Sequence, residues 1–242
     1  MRLLFTLQYL GTRYAGWQSQ RNATGIQDVI ESALLTIYGS AVRLEAAGRT
    51  DAGVHAAAQR AHCDVPFTIP FRGLVRGIND LLPQDMRILS VVETVPDFHC
   101  RFSAKAKTYA YRIWNGEVMD VFHSETHAHA RQPLDEALMR EATAPLLGKH
   151  DFRAFTVAAP EVSSTERTIE AISVEREGRI VTIRVTADGF LRFMVRRIAG
   201  SLIEIGRGKL DRDAIRRSLE PLFEPARWTT PANGLTLEEI RY

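Results

Sequence analysis

The stretch from Gly48 to Ala56, which reads GRTDAGVHA, sets one carboxylate among a guanidinium, a hydroxyl and two glycines. It shows neither the alternation of a strand nor the periodicity of a helix, so we predict a loop that carries a functional site. Asp51 is the group that could act as a nucleophile or a base, provided that a cation holds it ionised and oriented. The alternative is a tight turn between two strands, in which Asp51 forms a hydrogen bond within its own turn and Gly53 adopts a backbone conformation that would strain other residues.

Asp51 has no second carboxylate close to it in the sequence, which argues against the paired aspartates of the aspartic proteases. Those enzymes need two carboxyl groups a few ångströms apart to separate their pKa values. They would also need a second copy of the loop, and the sequence has none. The cationic partner of Asp51 must therefore come from elsewhere in the chain.

Arg196 is our candidate for that cation. It lies between Phe190 and Gly206, where apolar side chains recur at the spacing of a helix. Phe193 and Gly200 fall three residues before it and four after it, so the arginine would project beside an aromatic ring over a stretch with little side chain. The alternative is an ordinary surface arginine, since most arginines are exposed.

A predicted strand from Lys105 to Trp114 is basic and aromatic on one face. The side chains on that face are Lys105, Lys107, Tyr109 and Tyr111. Sheet-based RNA-binding proteins combine phosphate attraction with base stacking in this way. The alternative is a solvated strand whose rings are half buried.

Three histidines that lie close together in the sequence, His123, His127 and His129, could act as metal ligands. Their spacing matches no ligand set of a defined site, and no cysteine lies near them. We therefore do not expect a metal ion there.

Length and composition favour two subdomains, because 242 residues, 45% of them hydrophobic, suffice for two cores of about 100 residues each. With 31 basic and 29 acidic residues the net charge is +2, so composition alone does not indicate a nucleic-acid-binding protein. Cys63 and Cys100 are too few for a disulfide framework and fit a reducing compartment. The sequence shows no signal peptide and no membrane-spanning run, so we expect a soluble, cytoplasmic protein.

The elements that would position these residues follow the order βαββαβ twice. In the first half they are strands Arg2–Leu10, Val42–Ala47, Ala58–Phe67 and Met86–Val95, and two helices. The first helix begins at a capping box formed by Thr24 and Gln27 and ends at Gly39, and the second spans Phe71–Leu82. In the second half they are strands Lys105–Trp114, Thr168–Glu177, Ile180–Ala187 and Leu235–Tyr242, and helices Leu134–Leu147, Phe190–Gly206 and Asp211–Leu219.

Two βαββαβ units predict an α+β protein of two ferredoxin-like halves, 1–100 and 101–242, each with helices on one face of an antiparallel sheet. We expect the two halves to join their sheets around a central cleft. The Asp51 loop of the first half would line that cleft, and the Tyr109 strand and the Arg196 helix belong to the second.

Taken together, these segments resemble the tRNA pseudouridine synthase A (TruA) family almost from end to end. The loop Gly48 to His55 is similar to the catalytic motif of that family. Four more segments match in family order: Tyr14-Ala15-Gly16-Trp17-Gln18, Phe98-His99 with Arg101-Phe102-Ser103-Ala104, Tyr109-Ala110-Tyr111, and Phe193-Met194-Val195-Arg196 with Gly200-Ser201-Leu202.

The resemblance implies the pseudouridine synthase fold and a role for each candidate residue. Asp51 would be the catalytic aspartate, Tyr109 would pack against the target uracil, and Arg196 would pair with Asp51. Arg49 would help to turn the target nucleotide out of its stem. The resemblance further implies isomerisation of uridines at positions thirty-eight to forty of the tRNA anticodon arm by a homodimer that uses neither a metal nor an organic cofactor.

Isomerising uridine means breaking the glycosidic bond, rotating the uracil and rejoining it through carbon. A nucleophile or base and a stacking platform suffice for this, but the sequence leaves open whether Asp51 attacks the sugar, attacks the uracil or abstracts a proton. Two other classes remain as alternatives: an RNA-binding module without catalysis, and a metal-dependent hydrolase that uses the histidines.

Overall fold

A computed structural model describes residues 1–157, 164–220 and 225–242. The chain folds into two compact units, one of residues 1–105 with 237–242 and the other of residues 106–236. The end of the last strand thus returns to the first unit, whereas the predicted second half ran on to residue 242. None of the described helices has the length and apolarity needed to cross a membrane.

The first unit has the predicted order of strands and helices. Its elements are β1 (Arg2–Tyr9), α1 (Ile26–Tyr38), β2 (Glu45–Ala46), β3 (His55–Asp64), α2 (Phe71–Leu81) and β4 (Met86–Thr94). β1 is the central strand and pairs antiparallel with β3 on one side and with β4 on the other. The last strand of the chain, β10 (Leu235–Arg241), lies next to β3, and β2 is a two-residue strand paired with β3.

Helix α1 shows both what the periodicity predicted and where the capping prediction was wrong. Its apolar stripe, with Ile26, Ile30 and Leu34 at 0% exposure, packs into the core of the unit. The helix is capped one residue later than predicted, because the Asp28 carboxylate, rather than Gln27, accepts the N–H of Gly25 at 2.8 Å. Gln27 is buried and donates instead to a main-chain oxygen of the segment before β2.

The second unit is also built on an antiparallel sheet. Its elements are β5 (Ala106–Asn115), β6 (Ala128–Ala130), α3 (Glu136–Glu141), β7 (Gly148–Asp151), β8 (Glu166–Glu177), β9 (Ile180–Ala187), α4 (Met194–Gly206) and α5 (Ala214–Ser218). The sheet runs in the order β5, β9, β8, β7, and the short strand β6 pairs parallel with β5. The predicted α+β class with antiparallel sheets is confirmed.

Helix α3 is shorter than the predicted helix Leu134–Leu147, and its sequence explains why. Asp135 caps the helix by accepting the N–H groups of Ala137 and Leu138, both at 3.0 Å. Pro145 has no N–H to donate to the carbonyl of Glu141, the last residue of α3, so the regular helix ends and a short 3₁₀ turn, Ala144–Leu146, follows. Strands β6 and β7 were not predicted from the sequence, and they are only three and four residues long.

Candidate active site

The Asp51 loop connects β2 to β3 and is held at the end of β1. Asp51 itself is half-buried, and its carbonyl accepts the N–H of Val54 at 3.1 Å, which closes a tight turn. Thr50, directly before it, is buried, and its hydroxyl shares a 2.8 Å hydrogen bond with the hydroxyl of Tyr9. The turn predicted as the alternative is therefore present, and it fixes the backbone on both sides of the carboxylate.

A second loop, between β1 and α1, braces the first through the main chain. The N–H of Trp17 donates to the Thr50 carbonyl at 3.0 Å, and the N–H of Gly53 donates to the Tyr14 carbonyl at 3.3 Å. These two bonds flank Asp51 in the sequence. The segment Tyr14 to Gln18, one of the five that resemble the family, thus braces the Asp51 loop.

Two glycines let the loops come this close. A Cβ added to Gly11 would lie 2.0 Å from the Val54 carbonyl oxygen, and one added to Gly16 would lie 2.6 Å from that of Thr50. Gly16 also has a φ of +93°, a conformation that side chains other than hydrogen disfavour. No other residue fits at either position without moving the backbone beside Asp51.

The polar groups beneath the loop are satisfied inside the protein. Gln59, which is fully buried, donates to the Gly48 carbonyl at 2.8 Å and contacts the Tyr9 hydroxyl at 3.4 Å. Burial raises the pKa of Tyr9 to about 12, so this hydroxyl stays neutral under ordinary conditions. His55, also buried, accepts the Gly11 N–H through Nδ1 at 2.9 Å. These supports were not predicted from the sequence, because they depend on contacts between residues far apart in the chain.

Arg49 projects outward from the same loop. Its side chain is exposed, and among the described residues it takes part in neither a hydrogen bond nor an ion pair. A guanidinium in this position is available to a ligand that approaches the loop from solvent.

In the second unit, Tyr109 lies in β5 and is 8% exposed. Its ring meets the Phe190 ring edge-on, with centroids 5.1 Å apart and an interplanar angle of 87°. Tyr111 points to the same face but is completely buried, and its hydroxyl donates to the Pro231 carbonyl at 2.9 Å. Tyr111 is therefore a core residue, and the predicted basic and aromatic stripe does not extend to it as a stacking surface.

Arg196 lies in the first turn of α4, where its guanidinium is held in place. Its Nε donates to the Thr230 carbonyl at 2.8 Å, and its Cζ lies 4.8 Å from the centroid of the Phe193 ring. The ring packing predicted from the i−3 spacing is confirmed. The open stretch predicted over Gly200 is absent, however, because the chain packs against this glycine: a Cβ there would lie 2.2 Å from the Trp228 carbonyl oxygen.

Phe193 explains why α4 begins at Met194 and not at the predicted Phe190. It has a φ of +65° and is the one non-glycine residue with positive φ among those described. This left-handed conformation interrupts helical geometry just before Met194. The Arg192 guanidinium lies 5.0 Å from the same ring, so Phe193 carries a cation on either side of it in the sequence.

The three histidines singled out in the sequence make contacts inside the second unit. His123 stacks on Trp114 with centroids 4.8 Å apart, and His127 meets His123 edge-on at 4.7 Å. Burial lowers the pKa of His127 to about 4, which favours its neutral ring. His129 bonds through Nε2 to the Gly116 carbonyl at 2.8 Å. These contacts give the three histidines a packing role in the second unit.

Asp51 and Arg49 thus lie in the first unit, and Tyr109 and Arg196 lie in the second. Local contacts hold the Asp51 backbone, Tyr109 and Arg196, whereas the Arg49 side chain is exposed. The pairing of Asp51 with Arg196 stays a prediction.

The sequence matches the family model described as tRNA pseudouridine synthase over residues 6–103 and 142–242. The chain belongs to the tRNA pseudouridine synthase family. The predicted family and the predicted class of enzyme, an isomerase, are confirmed.

Relatives named tRNA pseudouridine synthase A are similar to this chain along nearly its whole length. The one from Moorella thermoacetica is 44% identical over 99% of each chain. Those from Geobacter sulfurreducens and Pelobacter propionicus are 41% and 40% identical, over 98% of this chain and 97% and 98% of theirs. A solved structure titled "Crystal Structure of a Cbf5-Nop10-Gar1 Complex" aligns with 98% of this chain and 49% of its own at 12% identity and a TM-score of 0.38, which is too weak a similarity to support an argument.

Proposed function

We propose that this protein converts uridine to pseudouridine in the anticodon arm of tRNA, at positions thirty-eight to forty, with Asp51 as the catalytic aspartate. The observation that carries the proposal is the double brace of the Asp51 loop, because its main chain is bonded to the neighbouring loop on both sides of the carboxylate. A catalytic group works best when rigid surroundings hold it in its reactive position. The membership of the chain in the tRNA pseudouridine synthase family supports the same reaction.

The other three residues would handle the nucleotide. Arg49 is exposed beside Asp51 and would help to displace the target base from its stem. Tyr109 would pack against the uracil, and Arg196, oriented by Phe193 and Thr230, would pair with the aspartate and keep it ionised. No step of this isomerisation requires a metal or an organic cofactor.

We further propose that the protein acts as a homodimer in the cytoplasm. The net charge of +2 gives one chain little basic surface with which to hold an anticodon arm, whereas two copies related by a two-fold axis would combine theirs. Light scattering of the pure protein at micromolar concentration should give the mass of a dimer. A monomer with full activity would contradict this part of the proposal.

The decisive experiment compares Asp51→Asn with the wild-type protein on bulk tRNA, with pseudouridine mapped at each position. The amide is nearly the same size as the carboxylate but is neither a nucleophile nor a base, so we expect no pseudouridine. Affinity for tRNA should stay within about tenfold, or about 1.4 kcal/mol, because phosphate contacts made by other residues dominate it.

Asp80→Asn is the matched control, since Asp80 is an exposed carboxylate on α2, with 72% of its side chain accessible. It should modify tRNA at the wild-type rate. If an Asp51→Asn preparation free of wild-type protein formed pseudouridine, Asp51 would not be the catalytic aspartate. An equal collapse of binding and activity would instead make the loop purely structural. The RNA-binding module would be favoured only if the wild-type protein bound tRNA and formed no pseudouridine.

A further inference from the structure

Three side chains of the first unit that no motif joins in the sequence come together in space. Glu45, His62 and His99 each direct one potential ligand atom to the same place, and these atoms all lie within 4.8 Å of one another. Glu45 is in β2, His62 is in β3, and His99 is in the turn that follows β4. It is the one group of this kind among residues 1–157, 164–220 and 225–242.

The sheet itself sets two of the three positions. Glu45 and His62 are directly opposite each other in the antiparallel pair of β2 and β3, so their side chains leave the sheet side by side. His99 approaches from the turn, with its Nε2 3.0 Å from Glu45 Oε2 and its ring 4.8 Å from the His62 ring. Two imidazoles and a carboxylate in one place are ligands typical of zinc.

Hydrogen bonds set the tautomer of His62. The thiol of Cys100 donates its single proton to the Glu45 carbonyl at 3.0 Å. Its sulfur, 3.1 Å from His62 Nδ1, then accepts the N–H of that ring. This leaves the lone pair on His62 Nε2. A histidine whose second nitrogen donates to a neighbouring group is held in the orientation that metal ligands usually have.

His99 needs one change to act as a ligand. Its Nδ1 accepts the Arg101 N–H at 3.2 Å, which places the ring proton on Nε2, where it bonds to Glu45. When a metal ion takes the place of that proton, the proton moves to Nδ1 and the Arg101 N–H loses its acceptor. The ring stays neutral, so no proton has to leave the protein.

The turn that carries His99 is itself anchored. Arg2 donates to the Phe98 carbonyl at 2.9 Å and forms a two-point ion pair with Asp64, the last residue of β3. His62 is 3% exposed, whereas Glu45 is exposed, so the cluster is supported from within and open to solvent on one side. An ion therefore has both a fixed ligand and an entry path.

We propose that Glu45, His62 and His99 bind one zinc ion, with water completing its coordination. Around tetrahedral zinc, nitrogen and oxygen ligands lie about 3.4 Å from one another. His99 Nε2 and Glu45 Oε2, 3.0 Å apart, are already near that spacing, and ligand atoms as far as 4.8 Å apart would have to approach by about 1.4 Å. The ion would tie β2, β3 and the turn after β4 together. It takes no part in the isomerisation, so the test of this site is independent of the proposed function.

Calorimetric titration of the chelator-treated full chain with zinc chloride tests the site, with cobalt chloride as a spectroscopic probe. We expect one ion per chain, a higher melting temperature with zinc, and a shift of the Arg101 amide resonance. Glu45→Gln and His99→Gln should each weaken zinc binding at least tenfold. Glu45 is exposed, so its substitution should leave the fold intact, which circular dichroism will verify.

His123→Gln is the matched control, because it removes a histidine that contacts two other aromatic rings of the second unit and lies outside the cluster. It should leave zinc affinity unchanged. Three results would overturn the proposal: no binding at about 100 micromolar zinc, undiminished binding in Glu45→Gln and His99→Gln, or an equal loss in the His123→Gln control.

Discussion

The Asp51 loop of the first unit and the start of α4 in the second are held by different kinds of contact. Main-chain hydrogen bonds and the absence of side chains at Gly11 and Gly16 fix the loop. At the start of α4, contacts of the Arg196 side chain with the Phe193 ring and the Thr230 carbonyl orient its guanidinium. A region held by its main chain should fail abruptly when a neighbour gains one atom, whereas a region held by side chains should lose function by degrees.

Gly16→Ala is expected to have the largest effect. The new Cβ meets the Thr50 carbonyl oxygen at 2.6 Å, at a residue whose φ of +93° already disfavours a side chain. Overpacking and backbone strain together should lower the free energy of unfolding by about 3 kcal/mol and activity by about a hundredfold. Urea denaturation and tRNA modification rates measure both.

Gly39→Ala is the matched control for that substitution. Gly39 also has a positive φ, +66°, but a Cβ there meets nothing within 4 Å. It should lose only about 1 kcal/mol and keep full activity. If the two variants behaved alike, backbone strain alone would account for Gly16, and the close contact between loops would not matter.

Gly200→Ala tests the main chain of α4. The Cβ would lie 2.2 Å from the Trp228 carbonyl oxygen, so we expect a loss of about 1 to 3 kcal/mol, part of which the better helix propensity of alanine offsets. Activity should fall less than in Gly16→Ala, because side chains orient Arg196. Gly73→Ala in α2, where nothing lies within 4 Å, should be neutral or stabilising. If Gly200→Ala lost all activity, the start of α4 would be as sensitive to one added atom as the Asp51 loop, which would contradict the difference drawn between them.

Tyr109→Phe separates packing from chemistry on the second unit. The ring keeps its edge-on contact with Phe190, and base stacking worth about 1 to 3 kcal/mol should persist. Affinity for tRNA should therefore survive better than turnover, as single-turnover kinetics and filter binding will measure. If Tyr109→Phe turned over at the wild-type rate, the hydroxyl of Tyr109 would have no chemical role and only its ring would contribute, by stacking.

His127 provides the smallest effect, a dependence of stability on pH that arises in the second unit. Burial lowers its pKa from 6.5 to about 4, so the unfolded chain takes up a proton at a higher pH than the folded one. Its contribution to stability is complete above pH 6.5 and is lost as the pH falls towards 4. The melting temperature of His127→Gln should therefore fall less over this range than that of the wild type. If the melting temperatures of the two proteins fell equally with pH, titratable groups other than His127 would account for the loss of stability in acid.

Much of the fold could be predicted because its signals are local. Periodicity placed β1, α1 and β9 within about two residues of their observed ends, since the alternation or spacing of apolar side chains is written in the segment itself. The errors arose where a neighbouring residue competes with the pattern. Asp28 replaced Gln27 as the capping partner, and the left-handed Phe193 delayed the start of α4.

For the candidate site, the sequence by itself determined the residue types: a lone aspartate in a glycine-bordered loop, an arginine three residues after a phenylalanine, and the family to which they point. Only the tertiary structure decided what holds them. The bracing of Thr50 by Trp17, and the meeting of Glu45, His62 and His99, join segments that lie far apart in the chain. Such contacts carry no local signal, because they arise from the pairing of strands and the packing of loops and not from any spacing along the sequence.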